Sequence, residues 1–163
     1  MIELDGTDII EHLRTLIILA GECNHITEMG VREGVSTFAL IDGLKKGSLT
    51  SYDVVYPPPE NLIVMYENAF DKGIRFRFIL GDSTKIKMEE TDLLFIDTLH
   101  TNKQLTKELK LHSDKVGRYI VLHDTESCKK ELWPVVQKLV KKGIWKIKTH
   151  YKNNNGLTIL ERV

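Results

Sequence analysis

At 163 residues, with 23 basic and 23 acidic side chains that cancel, the chain is long enough for one domain and carries no bulk attraction for nucleic acid or an anionic membrane. Its two cysteines, Cys23 and Cys128, show no CxxC spacing, which argues against a disulfide framework or a structural zinc site and for a reducing compartment. The acidic start at Met1–Asp5 lacks a signal peptide's basic flank, and the apolar run Leu16–Ala20 is far below the ~20 residues that span a bilayer, so a soluble cytoplasmic protein forming a single domain over 1–163 is expected.

In chain order, Thr7 or Asp8 can cap a first helix with Ile9, Ile10, Leu13, Leu16, Ile17 and Leu19 at helical spacing, ending near Gly21. A short strand, 26–29, runs into a glycine loop. The next helix opens near Ser36, with Phe38, Ala39, Ile41 and Leu44 inward, and closes at Gly47. A second strand, 49–55, carries Asp53 near its end. Pro57-Pro58-Pro59 is expected to be a stiff surface connection before a helix over 60–72, whose stripe is Leu62, Met65, Tyr66, Ala69 and Phe70.

Ile74, Phe76, Phe78 and Leu80 alternate with Arg75 and Arg77, the pattern of a half-covered strand near an edge. Leu93-Leu94-Phe95-Ile96 is unbroken and apolar, as a parallel strand covered on both faces should be. A helix over 101–116 should end at Gly117, followed by the strand Tyr119–Leu122. Another helix spans 132–142, with Pro134 in its first turn. Two strands, 145–151 and 157–160, joined through Asn155-Gly156, read as a hairpin. The plan is an α/β, Rossmann-like, doubly wound sheet of seven strands, mostly parallel, with an antiparallel C-terminal hairpin.

Fold alone assigns no function, so the strand endings must. In open α/β sheets ligands sit beyond the carboxyl ends of the strands. There the chain places Glu28, Asp53, Asp82, Asp97 with His100, and His123-Asp124. In Glu28-x-Gly30-x-x-x-Gly34-x-Ser36, Gly30 allows a tight turn and Gly34 an approach to backbone N–H groups at a helix start. A carboxylate at Glu28 repels phosphate but suits a cation or hydroxyl groups, and the glycine spacing differs from the dinucleotide fingerprint. Asp53 is placed to hold ribose hydroxyls, or is an ordinary solvated Asp. Asp82 can accept from an adenine amino group, or simply close a Gly-Asp-Ser turn.

Together these motifs resemble, in order, those of class I S-adenosylmethionine-dependent methyltransferases, over nearly the whole chain. The glycine-loop spacing is similar to that of catechol O-methyltransferase and its metal-dependent relatives. Asp97-Thr98-Leu99-His100 with His123-Asp124-Thr125 is closer to the branch of macrolide-sugar O-methyltransferases and cephalosporin-hydroxylase-like proteins. The resemblance implies that Glu28, Gly30, Gly34 and Ser36 lie against the methionine part of the cofactor. It puts Asp53 on the ribose and Asp82 with Ser83 on the adenine. It further implies a magnesium ion held by Asp97, Asp124 and His123, although magnesium prefers oxygen ligands and His123 departs from the acidic residue usual there. His100 becomes the candidate base.

The function expected is magnesium-dependent O-methyl transfer to a hydroxyl of a small molecule, such as a sugar or sugar-bearing metabolite. The alternatives are a non-catalytic methyltransferase-like binding or assembly module and a metal-dependent hydroxylase or hydrolase. With little beyond the core fold to cap a substrate, a homo-oligomer that completes the pocket stays open.

Overall fold

The computed structural model describes residues 8–163. Its strands are β1 (His25–Met29), β2 (Ser48–Asp53), β3 (Arg75–Leu80), β4 (Thr91–Ile96), β5 (Val116–His123), β6 (Trp145–Tyr151) and β7 (Leu157–Arg162). They form one sheet in the order β3-β2-β1-β4-β5-β7-β6. The pairs from β3 through β5 are parallel, and β7 runs antiparallel to both β5 and β6. This is the seven-stranded, mostly parallel arrangement with a terminal hairpin that the sequence pattern implies. The half-covered strand is indeed an edge.

Helices cover both faces because β4 presents apolar residues to both. Leu93 and Phe95 point to a core shared with Leu16, Leu40 and Met65. Their neighbours Leu94 and Ile96 point the other way, to Leu105, Leu109 and Val136. The period-2 alternation of side chains makes a buried central strand read as an unbroken apolar run. The helices are α1 (Leu13–Ala20), α2 (Val35–Gly43), α3 (Pro59–Asp71), α4 (Asn102–His112) and α5 (Lys129–Val140). The first three pack on one face and the last two on the other. No helix among the described residues is long and apolar enough to cross a membrane.

Several boundaries depart from expectation for local physical reasons. Residues Ile10–His12 form a 3-10 turn before α1, and Thr7, one of the two candidate caps, lies outside the described residues. Pro59 does join a helix: it is the first residue of α3, where a missing N–H costs nothing. On α3, Tyr66 and Phe70 are exposed, Phe70 at 83%, because the sheet edge they approach ends at β3. α4 is shorter than expected, and Gly117 belongs to β5 instead of ending the helix. α5 starts three residues early, so Pro134 sits inside it and removes one intrahelical donor. No helix links β3 to β4; Met88, 2% exposed, anchors that stretch in the second core.

Phe95 is fully buried at the centre of the sheet. Phe95→Ala is expected to cost ~3–5 kcal/mol of unfolding free energy, measured by denaturant titration. A loss below ~1 kcal/mol would contradict this packing.

Candidate active site

The register aligns the five parallel strands so that their carboxyl ends share one rim. Gly30 donates its N–H to the Tyr52 carbonyl at 2.9 Å, Asp97 to Met29 at 2.8 Å, and Gly81 to Asp53 at 2.8 Å. The strand order reverses between β1 and β4, and a crevice opens at such a switch point. A cleft of about 590 Å³ lies there, with Gly30, Asp53, Asp82, Ser83, Asp97 and His100 in its walls. Its size suits a small-molecule ligand.

Gly30 has φ 90°, and a Cβ on it would stand 1.9 Å from the Asp97 carbonyl oxygen, so only glycine fits where β1 meets β4. Gly34, at φ 92°, caps the start of α2. Asp53 ties this loop down: its Oδ2 accepts the N–H groups of Val31 at 2.7 Å and Arg32 at 3.0 Å, while Oδ1 accepts from Val55 at 3.1 Å. Asp53 still borders the cleft. Glu28 does not. It has no exposed surface, and its carboxylate accepts hydroxyls from Ser36 at 2.6 Å, Thr37 at 2.7 Å and Ser51 at 2.6 Å. Burial, against those three hydroxyls, pushes Glu28 up to about 7. Glu28 and Ser36 therefore act within the protein, bracing the loop from behind. Ser36 also borders a small recess with Asp8, Val31 and Asp97.

On the other side of the cleft, Asp82 caps its own turn, accepting the Thr84 N–H at 2.9 Å and hydroxyl at 2.7 Å, with Lys85 at 2.9 Å. The contacts of Lys85 and Thr84 hold it well below the usual carboxylate range. Ser83 is buried and donates to Glu108 on α4 at 2.5 Å.

The densest chemistry lies where β4 and β5 end. His100 Nε2 is 2.8 Å from Asp124 Oδ2 and 3.2 Å from Asp97 Oδ1. His123 Nδ1 is 3.1 Å from Asp124 Oδ2 and 3.4 Å from Asp97 Oδ2. Asp124 adopts φ 57°, a left-handed conformation that Asp tolerates, and Ser127 donates to its Oδ1 at 2.9 Å. The His123 ring is fixed from behind: Nε2 faces the carbonyl oxygens of Asp8 at 3.0 Å and Asn154 at 3.3 Å, so it carries a proton. Its buried Nδ1 makes no aligned hydrogen bond, although both carboxylates are close.

Contacts with Asp124 and then Asp97 outweigh burial and raise His100 to about 10. Burial works against charging His123, but the same carboxylates again prevail and raise it to about 10. Burial opposes ionisation of both aspartates, yet the imidazoles hold them below the ordinary range. The two carboxylates thus favour a proton on each imidazole, a hold that weakens where something else occupies the carboxylates.

A cation is a good candidate for that role. Asp97, His100 and Asp124 each offer a ligand atom, all within 4.8 Å of one another. The orphaned Nδ1 of His123 faces the same carboxylate oxygens, and its other nitrogen is anchored as ligating histidines usually are. This donor set fits a divalent metal.

The structure thus brings Gly30, Asp53, Asp82, Ser83, Asp97 and His100 to one cleft, puts Asp124 and His123 at its end, and turns Glu28 away. Glu108 and His112 support the site from behind, and no motif marks them. A signal was available: both fall on the stripe of Leu105 and Leu109, where a buried charge demands a partner.

No protein-family profile matches the chain, and no curated protein matches it. Solved structures do. An SAH-bound methyltransferase from Podospora anserina is 15% identical, with TM-score 0.68 over 96% of this chain and 88% of that one. A magnesium protoporphyrin IX methyltransferase from Synechocystis PCC 6803 with bound SAM is 10% identical, with TM-score 0.71 over 100% and 86%. A Staphylococcus aureus protein assigned as a caffeoyl-CoA O-methyltransferase is 13% identical, with TM-score 0.65 over 100% and 85%. The chain has the fold of the class I S-adenosylmethionine-dependent methyltransferases.

Glu28 makes stability depend on pH. Below its unfolded value near 4.5 the carboxyl is protonated in both states; between there and about 7 the unfolded chain releases a proton that the folded chain keeps, so stability falls as pH rises. The full loss is on the order of 3 kcal/mol. Glu28→Gln keeps one acceptor oxygen and offers an amide N–H that a rotated hydroxyl can accept, so its melting temperature should gain on that of the parent between pH 5 and 8. Parallel curves would rule out the buried acid as the source.

Proposed function

We propose that the protein is an S-adenosylmethionine-dependent O-methyltransferase acting on a hydroxyl of a small molecule, with a divalent metal at Asp97 and Asp124. One observation carries this reading: the cleft bordered by Gly30, Asp53 and Asp82 runs without a break to Asp97 and His100, so a ligand in it would end beside the carboxylate pair. The fold similarity supports the choice of donor, and a sulfonium donor needs no phosphate-binding loop.

Gly30, Asp53 and Asp82 with Ser83 would bind the donor, and Glu28 with Ser36 would keep the loop in shape from behind. Asp97 and Asp124 would hold the ion, with His123 Nδ1 as the nitrogen ligand, leaving His100 free to act as the base. A bound ion supplies Lewis acidity, which lowers the pKa of an acceptor hydroxyl. The mixed nitrogen and oxygen donors admit a first-row ion such as manganese as readily as magnesium. His100, at the cleft wall, would take the hydroxyl proton, a contribution of ~10²–10⁴-fold. The rest of the acceleration would come from holding the acceptor oxygen in line with the methyl carbon. The acceptor in this reading is a sugar or sugar-bearing metabolite, whose hydroxyl supplies the oxygen that is methylated.

S-adenosylmethionine at ~100 times its dissociation constant should raise the melting temperature by ~5–10 °C. No shift at millimolar ligand would remove the donor from this reading. Binding without turnover on any hydroxyl panel would leave a non-catalytic module.

His100→Ala should lose turnover by ~10²–10⁴-fold while donor affinity stays within about threefold of the parent. EDTA should abolish turnover, and added magnesium or manganese should restore it. Equal loss of turnover and donor affinity in His100→Ala would mark a structural role, and full turnover in EDTA would take the ion out of the reaction.

A further inference from the structure

Glu108 is a carboxylate with no exposed surface, on a helix otherwise stabilised by leucines. Burying such a group is costly unless its hydrogen bonds are made. One oxygen, Oε1, collects three donors: Ser83 Oγ at 2.5 Å, Thr98 Oγ1 at 2.7 Å and Gln104 Nε2 at 2.9 Å. Ser83 follows β3, Thr98 follows β4, and Gln104 is on α4. All three also border the cleft. Gln104 Nε2 bonds to Ser83 Oγ as well, at 3.1 Å, and His112 Nε2 donates to the Ser83 carbonyl at 2.7 Å. The two strand-end loops have separate backbones and meet at this one oxygen.

We propose that Glu108 is a positioning residue: it clamps the loop after β3 to the loop after β4 and so sets the shape of the cleft wall that receives the donor. It touches no ligand itself. The use of that wall rests on the methyltransferase reading; the clamp does not. Because Thr98 adjoins Asp97, the clamp also steadies the strand end that carries the carboxylate pair. Glu108 Oε2 lacks any partner, and burial pushes its pKa up, which suits a proton on that oxygen. A neutral amide should therefore replace the acid well.

The test compares Glu108→Ala, Glu108→Gln and Leu109→Ala, the last a neighbouring core change that leaves the clamp intact. In the absence of ligand, hydrogen exchange in Glu108→Ala should rise by about tenfold in both loops, 81–86 and 97–101, and much less elsewhere; each loop loses one hydrogen bond to Oε1, and about tenfold corresponds to ~1.4 kcal/mol for each. S-adenosylmethionine should bind about tenfold more weakly to that variant, appearing in KM with kcat little changed. Glu108→Gln should restore both readouts, and Leu109→Ala should lower the melting temperature without moving either.

Exchange that is unchanged in either loop, or raised evenly over the molecule, would overturn the clamp. So would a loss of donor affinity in Leu109→Ala equal to that in Glu108→Ala. If Glu108→Ala does not fold, Glu108→Asp carries the same test, since a shorter side chain cannot reach both loops. If the parent binds no S-adenosylmethionine, the methyltransferase reading fails alone, because the exchange measurement still decides the clamp.

Discussion

Asp97 and Asp124 end adjacent strands, and two carboxylates so close would repel one another if left alone. Two imidazoles offset that repulsion, His100 from the cleft side and His123 from the interior. The sheet makes the pairing unavoidable: Ile96 is in register with Leu122, so β4 and β5 finish within a residue or two of each other. A tight cluster of opposite charges is a costly feature for stability alone. Its position at the carboxyl edge of the sheet makes it a natural place for a cation and a titrating base.

The surrounding architecture divides into parts that face the cleft and parts that stand behind it. Asp53 does both, because one face borders the cleft while its oxygens hold the backbone of the glycine loop. Glu28 and Glu108 are wholly behind, each a buried acid collecting three side-chain donors. A pocket braced this way can keep its shape without a ligand, which lowers the ordering cost of binding. The same logic places His123, whose ring is held by carbonyls at Asp8 and Asn154 and so links the N-terminal segment and the hairpin turn to the charge cluster.

At 10–15% identity the solved relatives speak to fold and to little else. The chemistry has to be argued from the side chains at the strand tips. At those tips Asp53 occupies two backbone N–H groups of the glycine loop, and paired carboxylates lie next to histidines. A cationic donor, a divalent ion and a hydroxyl acceptor satisfy all of these features together.

Much of the fold is determined by the sequence itself, because it rests on local rules. Four apolar residues in a row, glycines after helices and Asn-Gly before a strand act through backbone sterics and side-chain alternation within a few residues. So the strand count, the hairpin and the acidic tips of five strands are legible. What tertiary structure alone decides is which way each tip faces. Glu28 and Asp53 look equivalent along the chain, yet the hydroxyls of Ser36, Thr37 and Ser51 draw one into the interior while the other borders the cleft. Likewise His100, read along the chain as a candidate base, is held towards its protonated form because Asp124, distant in sequence, joins Asp97 on its ring. Proton affinity depends on neighbours within a few ångströms, and only the folded chain chooses those neighbours.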